Sequence, residues 1–286
     1  VLRVTLRGRG VPTVVLGSGE ALMFGRAPDV ALPEEDVDAQ LRTTALALPR
    51  AAAHVSRVVG ELAVGEEVAR LRWHGSTGAQ LSSLFDAPGG ARRVALSTGM
   101  AALLDEGENH LLLLRGREDA KGFTDLVLVL DITEVREGDG AATDVPYVPE
   151  GDPDGAPTAD APHLERWSRE WYVALALAEP WLTGADTYPR PPSNREIYER
   201  VLAWRGHAWN LERAQRVDDA IRSIARLAFG PADDPFTVTQ GRVQNVRFAV
   251  GRRAAETALV TTDDLGAVID AQARGAGLNP GAAPTA

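Results

Sequence analysis

Apolar and polar positions fall into two regimes separated by a polar gap. From Val1 to about residue 133, apolar residues come in short runs of strand length, divided by turn chemistry. Val1-Leu2-Arg3-Val4-Thr5-Leu6-Arg7 alternates roughly with period two until Gly8-Arg9-Gly10 breaks it. Val11–Leu16 follows, closed by Gly17-Ser18-Gly19. Period two sends successive side chains to opposite faces of a strand. Leu22–Phe24, Ala45–Leu48, Val58–Val64, Val68–Trp73, Arg92–Leu96 and His110–Leu114 continue the series, and Phe123–Ile132 ends it with a run too apolar for an edge strand. Many short strands at this spacing predict an all-β sandwich or barrel. Glu34–Thr44 shows no β pattern and is expected to be a surface insertion.

Beyond about residue 164 the period becomes helical. Trp167, Trp171, Leu175, Ala178 and Trp181-Leu182 mark one buried face over Leu164–Leu182. Pro191-Pro192 enforces a break, and Ser193 with Glu196 three residues on forms a capping-box sequence that opens a helix to about Arg205, ended by Gly206. A third helix is expected over Leu211–Phe229, stopped by Gly230-Pro231. Phe236–Val238 and Gln244–Phe248, flanking Thr239-Gln240-Gly241-Arg242, predict a hairpin. A closing helix is expected from Thr262 to about Arg274.

The gap between the regimes, 134–163, holds Gly138-Asp139-Gly140, Pro146, Pro149, Asp152-Pro153-Asp154-Gly155 and Pro157. Too few apolar residues are present to offset the entropy of ordering it, so it is expected to be a linker. An acidic tail docking on a basic partner is the functional alternative. The chain therefore divides into a sandwich (1–133), an acidic linker (134–163), a mainly α-helical domain (164–275) and a disordered tail (276–286).

Charge sharpens this division. Of the net charge of −10, residues 1–133 carry −3, residues 134–163 carry −7, and residues 164–286 balance. Neither folded block has the basic excess of a strong nucleic-acid binder. The absence of cysteine excludes disulfides, thiolate metal sites and cysteine nucleophiles. No apolar run approaches bilayer length, and no charged-then-apolar signal opens the sequence, although the missing initiator Met leaves room for trimmed upstream residues. A cytoplasmic location, without cofactor or membrane, is expected. Only one of the thirty basic residues is lysine, Lys121, and this bias suggests a GC-rich bacterial genome.

Three short motifs carry the candidate chemistry. Phe24-Gly25-Arg26 ends an early strand, Val55-Ser56-Arg57 follows thirty residues later, and Gly75-Ser76-Thr77-Gly78 comes next. Their order and spacing on a β background resemble the forkhead-associated (FHA) family's G-R, S-R-x-H and G-S-x-N-G-T signature, over nearly all of 1–133. The resemblance implies a β-sandwich that holds a phosphothreonine-containing partner and is not an enzyme. A phosphothreonine brings about −1.5 to −2 charge and three acceptor oxygens, best met by guanidinium forks and hydroxyls. The resemblance implies that Arg26 pairs with the phosphate, Ser56 donates its hydroxyl, and Ser76-Thr77 adds a further donor. Arg50, in the loop Pro49–His54, is placed to add positive charge, and Arg57 either joins it or buttresses the loops. Gly75 and Gly78 are expected to allow a tight turn. Two positions depart from the pattern. Val59 stands where the family has the loop-bracing His, and Ser76-Thr77-Gly78 lacks the Asn that grips the peptide main chain, which puts flanking selectivity in question.

In the helical zone, the sequence of helix, short turn, helix and hairpin is similar to a winged-helix or helix-turn-helix unit. That would put Trp209, Asn210, Arg213 and Arg216 at the start of a recognition helix. Glu212, Asp218 and Asp219 on the same stretch favour a helical protein-interaction domain instead. The five histidines (54, 74, 110, 163 and 207) form no ligand spacing and are expected at surfaces and turns, with no metal bound. No glycine-rich phosphate loop or nucleophile elbow is present. The expected function is a regulatory adaptor: a phosphothreonine reader followed by a domain for a second protein partner. The alternatives are a phospho-regulated DNA-binding transcription factor and a degenerate FHA scaffold that binds unphosphorylated partners.

Overall fold

A computed structural model describes residues 1–28, 41–83, 93–120, 122–134, 157–184, 189–231, 233–237 and 246–274. The chain divides into two compact units, Val1–Ala161 and Pro162–Ala286.

The first unit is a sandwich of two sheets. Its strands are β1 (Leu2–Gly8), β2 (Val11–Gly17), β3 (Glu20–Gly25), β4 (Arg42–Ala47), β5 (Gly60–Val64), β6 (Ala69–Trp73), β7 (Ala79–Ser83), β8 (Arg93–Leu96), β9 (Ala101–Leu103), β10 (Gly107–Asp119) and β11 (Gly122–Glu134). One sheet runs β2-β1-β11-β10-β7-β8 and the other β4-β3-β5-β6-β9. All pairings are antiparallel except β3 with β4. The alternation read in β1 is realised: Leu2, Val4 and Leu6 are buried, Arg3 and Thr5 half-buried, and Arg7 exposed. They join Leu22, Phe24, Leu62, Leu71, Trp73, Leu111, Leu113, Leu128 and Leu130 in the core between the sheets. The apolar run at β11 lies between β1 and β10, away from either edge.

Several local expectations are corrected. Within the expected insertion Glu34–Thr44, Arg42, Thr43 and Thr44 form the start of β4, paired in parallel with Glu20, Ala21 and Leu22. The second half of this strand was expected from Ala45–Leu48; nothing local signals its start at 42–44, where β3 supplies the hydrogen-bonding partners. The remainder, 34–40, lies outside the described residues, as do most of the linker (135–156) and the tail (276–286). The motif residues Ala79–Leu81 begin strand β7, and β9 pairs with β6.

The second unit comprises α1 (Arg169–Leu182), α2 (Asn194–Arg205), α3 (Ala214–Phe229), α4 (Val246–Glu256) and α5 (Thr262–Ala273). Every residue of α1 from Trp171 to Ala178 is buried, the signature of a helix surrounded by others rather than lying on a surface. Gly251 of α4 lets that helix approach closely: a Cβ there would stand 2.9 Å from the Leu177 carbonyl oxygen and 2.6 Å from the Trp181 ring. The capping box at Ser193 and Glu196 forms as expected, and Gly206 closes α2 at φ 74°.

The expected hairpin over 236–248 is overturned in its described residues: Phe236 and Thr237 lie in a turn, and Val246 and Phe248 lie in α4. Val246, Val250 and Ala254 recur every four residues and pack into the core; that helical period was hidden by the alternation of Val246 and Phe248. Residues 238–245 lie outside the described residues. The connection from α2 to α3 spans 206–213, eight residues where a helix-turn-helix takes three or four.

Candidate functional site

One end of the sandwich gathers the loop after β3, the β4–β5 loop (48–59), the β6–β7 loop (74–78) and the tip of the β10–β11 hairpin. The loops are bound to one another through the main chain. Arg26 N–H donates to the Ser56 carbonyl (3.1 Å) and Ala27 N–H to the Arg57 carbonyl (3.1 Å). Ala52 N–H donates to the Gly116 carbonyl (3.1 Å) and Glu118 N–H to the Arg50 carbonyl (3.0 Å), which straps the β4–β5 loop onto the hairpin. Where β10 meets this loop its register against β11 shifts between Leu113 and Arg117, and Arg115 takes φ 53°. Bulges of this kind re-aim side chains beside functional sites.

Gly25, the glycine of the first motif, is required by close approach. A Cβ there would lie 2.1 Å from the Arg57 carbonyl oxygen. Gly75 is also closely packed. Its φ is not left-handed, and a Cβ would stand 3.1 Å from Val59 Cγ1.

The motif residues converge. Arg26 Nε donates to the Val55 carbonyl at 3.2 Å, and the Thr77 hydroxyl donates to the His54 carbonyl at 3.3 Å. Arg26, Ser56 and Thr77 thus meet on residues 54–56. Thr77 is buried, with its hydroxyl proton already engaged, and Trp73 Nε1 donates to its carbonyl at 3.1 Å. Its place is that of a tie between loops. Ser56 is half-buried, while Arg50, Arg57 and Ser76 are exposed. The side chains of these four residues make no hydrogen bond or ion pair among the described residues. The Arg57 carbonyl packs against Gly25 and accepts from Ala27 N–H, while the residue is exposed. Arg50 holds φ 55°, an uncommon backbone state for a residue with a Cβ and one that concentrates at functional sites.

His54 was missed as a site element. Expected at a surface or turn, it is 4% exposed, packed edge-on against Phe123 with ring centroids 5.2 Å apart. Burial, reinforced by the charge of Arg115, lowers its pKa to about 4, so the ring is neutral at neutral pH. The fully buried Val59 accepts, through its carbonyl, the N–H groups of His74 (2.8 Å) and Gly75 (3.0 Å). Nothing in the local sequence distinguishes His54 from a loop histidine.

The ends of the sandwich differ in charge. The end with the motifs carries Arg9, Arg26, Arg50, Arg57, Arg115 and Arg117 against Glu118, Asp119 and Asp125, whereas the opposite turns carry Glu20, Glu66, Glu67, Asp105 and Glu106 against Arg42. A basic end on a net-acidic domain focuses anions toward these loops. Among the described residues no group of His, Asp and Glu is arranged to hold a metal ion, and no helix is long and apolar enough to cross a membrane.

In the second unit Asn210 and Arg213, just before α3, and Arg216, in its first turn, are exposed. Trp209 is turned inward: the Arg205 guanidinium lies over its ring at 3.6 Å and the Tyr172 ring is 5.7 Å away. An arrangement for entering a groove would leave that indole free.

No protein-family profile and no curated protein matches the sequence. Among solved structures, 46% of the chain is similar to STAT2 in complex with IRF9, at 10% identity over 90% of that chain with a TM-score of 0.32. The same share is similar to FHA-1 of Rv1747 from Mycobacterium tuberculosis (13% identity, 98% of that chain, TM-score 0.24). A third similarity is to the FhaA FHA domain complexed with the intracellular domain of Rv3910 (19% identity, 100% of that chain, TM-score 0.23). At these TM-scores the similarities are weak, and the sandwich architecture rests on the strand pairing itself.

Proposed function

We propose that the N-terminal sandwich is an FHA-type module that captures a phosphothreonine segment of a partner protein, and that the C-terminal helices form a second protein-binding unit. The observation that carries this function is the placement of three motifs, far apart in sequence, on one end of a two-sheet sandwich. There Ser56, Arg50 and Arg57 sit on a single loop with their polar groups unengaged among the described residues. A hydroxyl and two guanidinium groups beside Arg26 suit a dianionic phosphate with three acceptor oxygens. The module acts by binding and performs no chemistry. Arg26 and Thr77 hold the loop in position, and Ser56, Arg50 and Arg57 supply donors and charge.

Calorimetric titration with a phosphothreonine peptide library and its dephosphorylated twin tests this function. Micromolar or tighter binding confined to the phosphorylated peptides, weakened in Arg26→Ala, is expected. Equal binding of both libraries would instead identify a scaffold for unphosphorylated partners. DNA binding by the second unit is the weaker reading, given the eight-residue connection and the sequestered Trp209.

A further inference from the structure

The chain returns to the candidate loop after the acidic segment. Ala159 N–H donates to the Ala53 carbonyl at 3.0 Å, so residues 157–161 lie against the β4–β5 loop that carries Arg50, Ser56 and Arg57. All five are exposed, and they approach the most basic end of the sandwich from a stretch, 134–163, whose net charge is −7. Thr158 immediately precedes the residue that makes this contact, and its hydroxyl makes no hydrogen bond among the described residues.

We propose that Thr158 is a modification site whose phosphorylated form is an intramolecular ligand of the 50–57 loop, excluding external phosphothreonine partners. The proposal rests on the phosphothreonine-binding function above. The Ala159–Ala53 hydrogen bond keeps Thr158 beside the loop before any modification. Phosphorylation would add charge and three acceptors where a hydroxyl and two guanidinium groups are unengaged. A ligand carried on the same chain competes at an effective concentration in the millimolar range, so it displaces an external peptide of similar intrinsic affinity at micromolar concentration. The present contact is one main-chain hydrogen bond on an exposed segment, so the unmodified strap can lift to admit a partner.

The test uses the full chain in two forms, unmodified and with phosphothreonine installed at 158 by genetic encoding. The probe is a fluorescein-labelled peptide of residues 153–163 phosphorylated on Thr158, with its unphosphorylated twin as control. The unmodified chain is expected to bind the phosphorylated peptide alone, with roughly tenfold or greater loss in Ser56→Ala or Arg57→Ala. The chain phosphorylated at 158 is expected to bind it at least about tenfold more weakly while remaining monomeric by light scattering. Equal affinity in the two forms, or loss accompanied by a dimer, would overturn the intramolecular assignment. So would failure of this peptide where the phosphothreonine library binds. If no phosphothreonine peptide binds the unmodified chain, the parent function falls and the assignment falls with it.

Discussion

The Thr77 hydroxyl donates to the main-chain carbonyl of His54 at 3.3 Å, which joins the β6–β7 loop to the β4–β5 loop across 23 residues of sequence. Thr77→Val keeps the shape of the side chain and leaves the carbonyl without that donor. Urea denaturation should show a loss of about 1–2 kcal/mol. Phosphopeptide affinity should fall as well, because the loop carrying Ser56 loses a tether. Unchanged affinity would mean that the tie does not position the site.

Arg57→Ala and Ser56→Ala should act on binding without acting on stability. Both side chains are at least partly exposed and unengaged among the described residues, so melting temperatures should remain near wild type. Each lost charge-assisted or hydroxyl hydrogen bond should cost about 1–3 kcal/mol of binding, measured by calorimetry. The salt dependence of affinity should weaken in Arg57→Ala and persist in Ser56→Ala.

Gly25→Ala tests whether the glycine of the first motif serves packing. The added carbon would meet the Arg57 carbonyl oxygen at 2.1 Å and the Val58 Cα at 2.9 Å, and both are backbone atoms. A destabilisation of about 3 kcal/mol or more is expected, with displacement of the β4–β5 loop. Wild-type stability in this variant would show that the loop yields easily.

His54 should make the sandwich acid-sensitive. Its folded pKa of about 4 lies below the ordinary value of 6.5, so the unfolded chain binds more protons between these values. The resulting stability is fully present above about pH 6.5 and is lost as the pH falls through about 4. The shift corresponds to at most about 3 kcal/mol. Denaturation midpoints measured from pH 7 to pH 4 should fall in the wild type and change less in His54→Gln; parallel curves would remove His54 as the cause.

In the helical unit, Arg205 is 9% exposed and lies 3.6 Å over the Trp209 ring, near Tyr172. Burial lowers the pKa of Arg205 and raises that of Tyr172. Arg205→Ala removes both the cation and the packing of its stem, and should cost about 1–2 kcal/mol with a red-shifted tryptophan emission. Arg205→Lys should restore only part of this, because an ammonium cannot stack as a planar guanidinium does. Full rescue by lysine would assign the contact to charge alone.

What the sequence determined on its own was the succession of a β-rich block, an acidic stretch and a helical block, together with elements whose cause is local. The alternation of β1 and the capping box at Ser193 were legible because neighbouring residues enforce them. The three motifs were legible too, as a set in order. Tertiary structure alone decided the elements whose partners lie far away in sequence. Residues 42–44 extend β4 because β3 offers them a parallel edge, and α4 forms because Val246, Val250 and Ala254 find a core. His54 becomes a buried neutral brace only where Phe123 and Arg115 close over it, and Thr77 becomes a tie because the His54 carbonyl lies within its reach. A motif fixes which donors are available. Which of them remain free for a ligand is settled by hydrogen bonds between residues distant in the chain, and no local pattern encodes those.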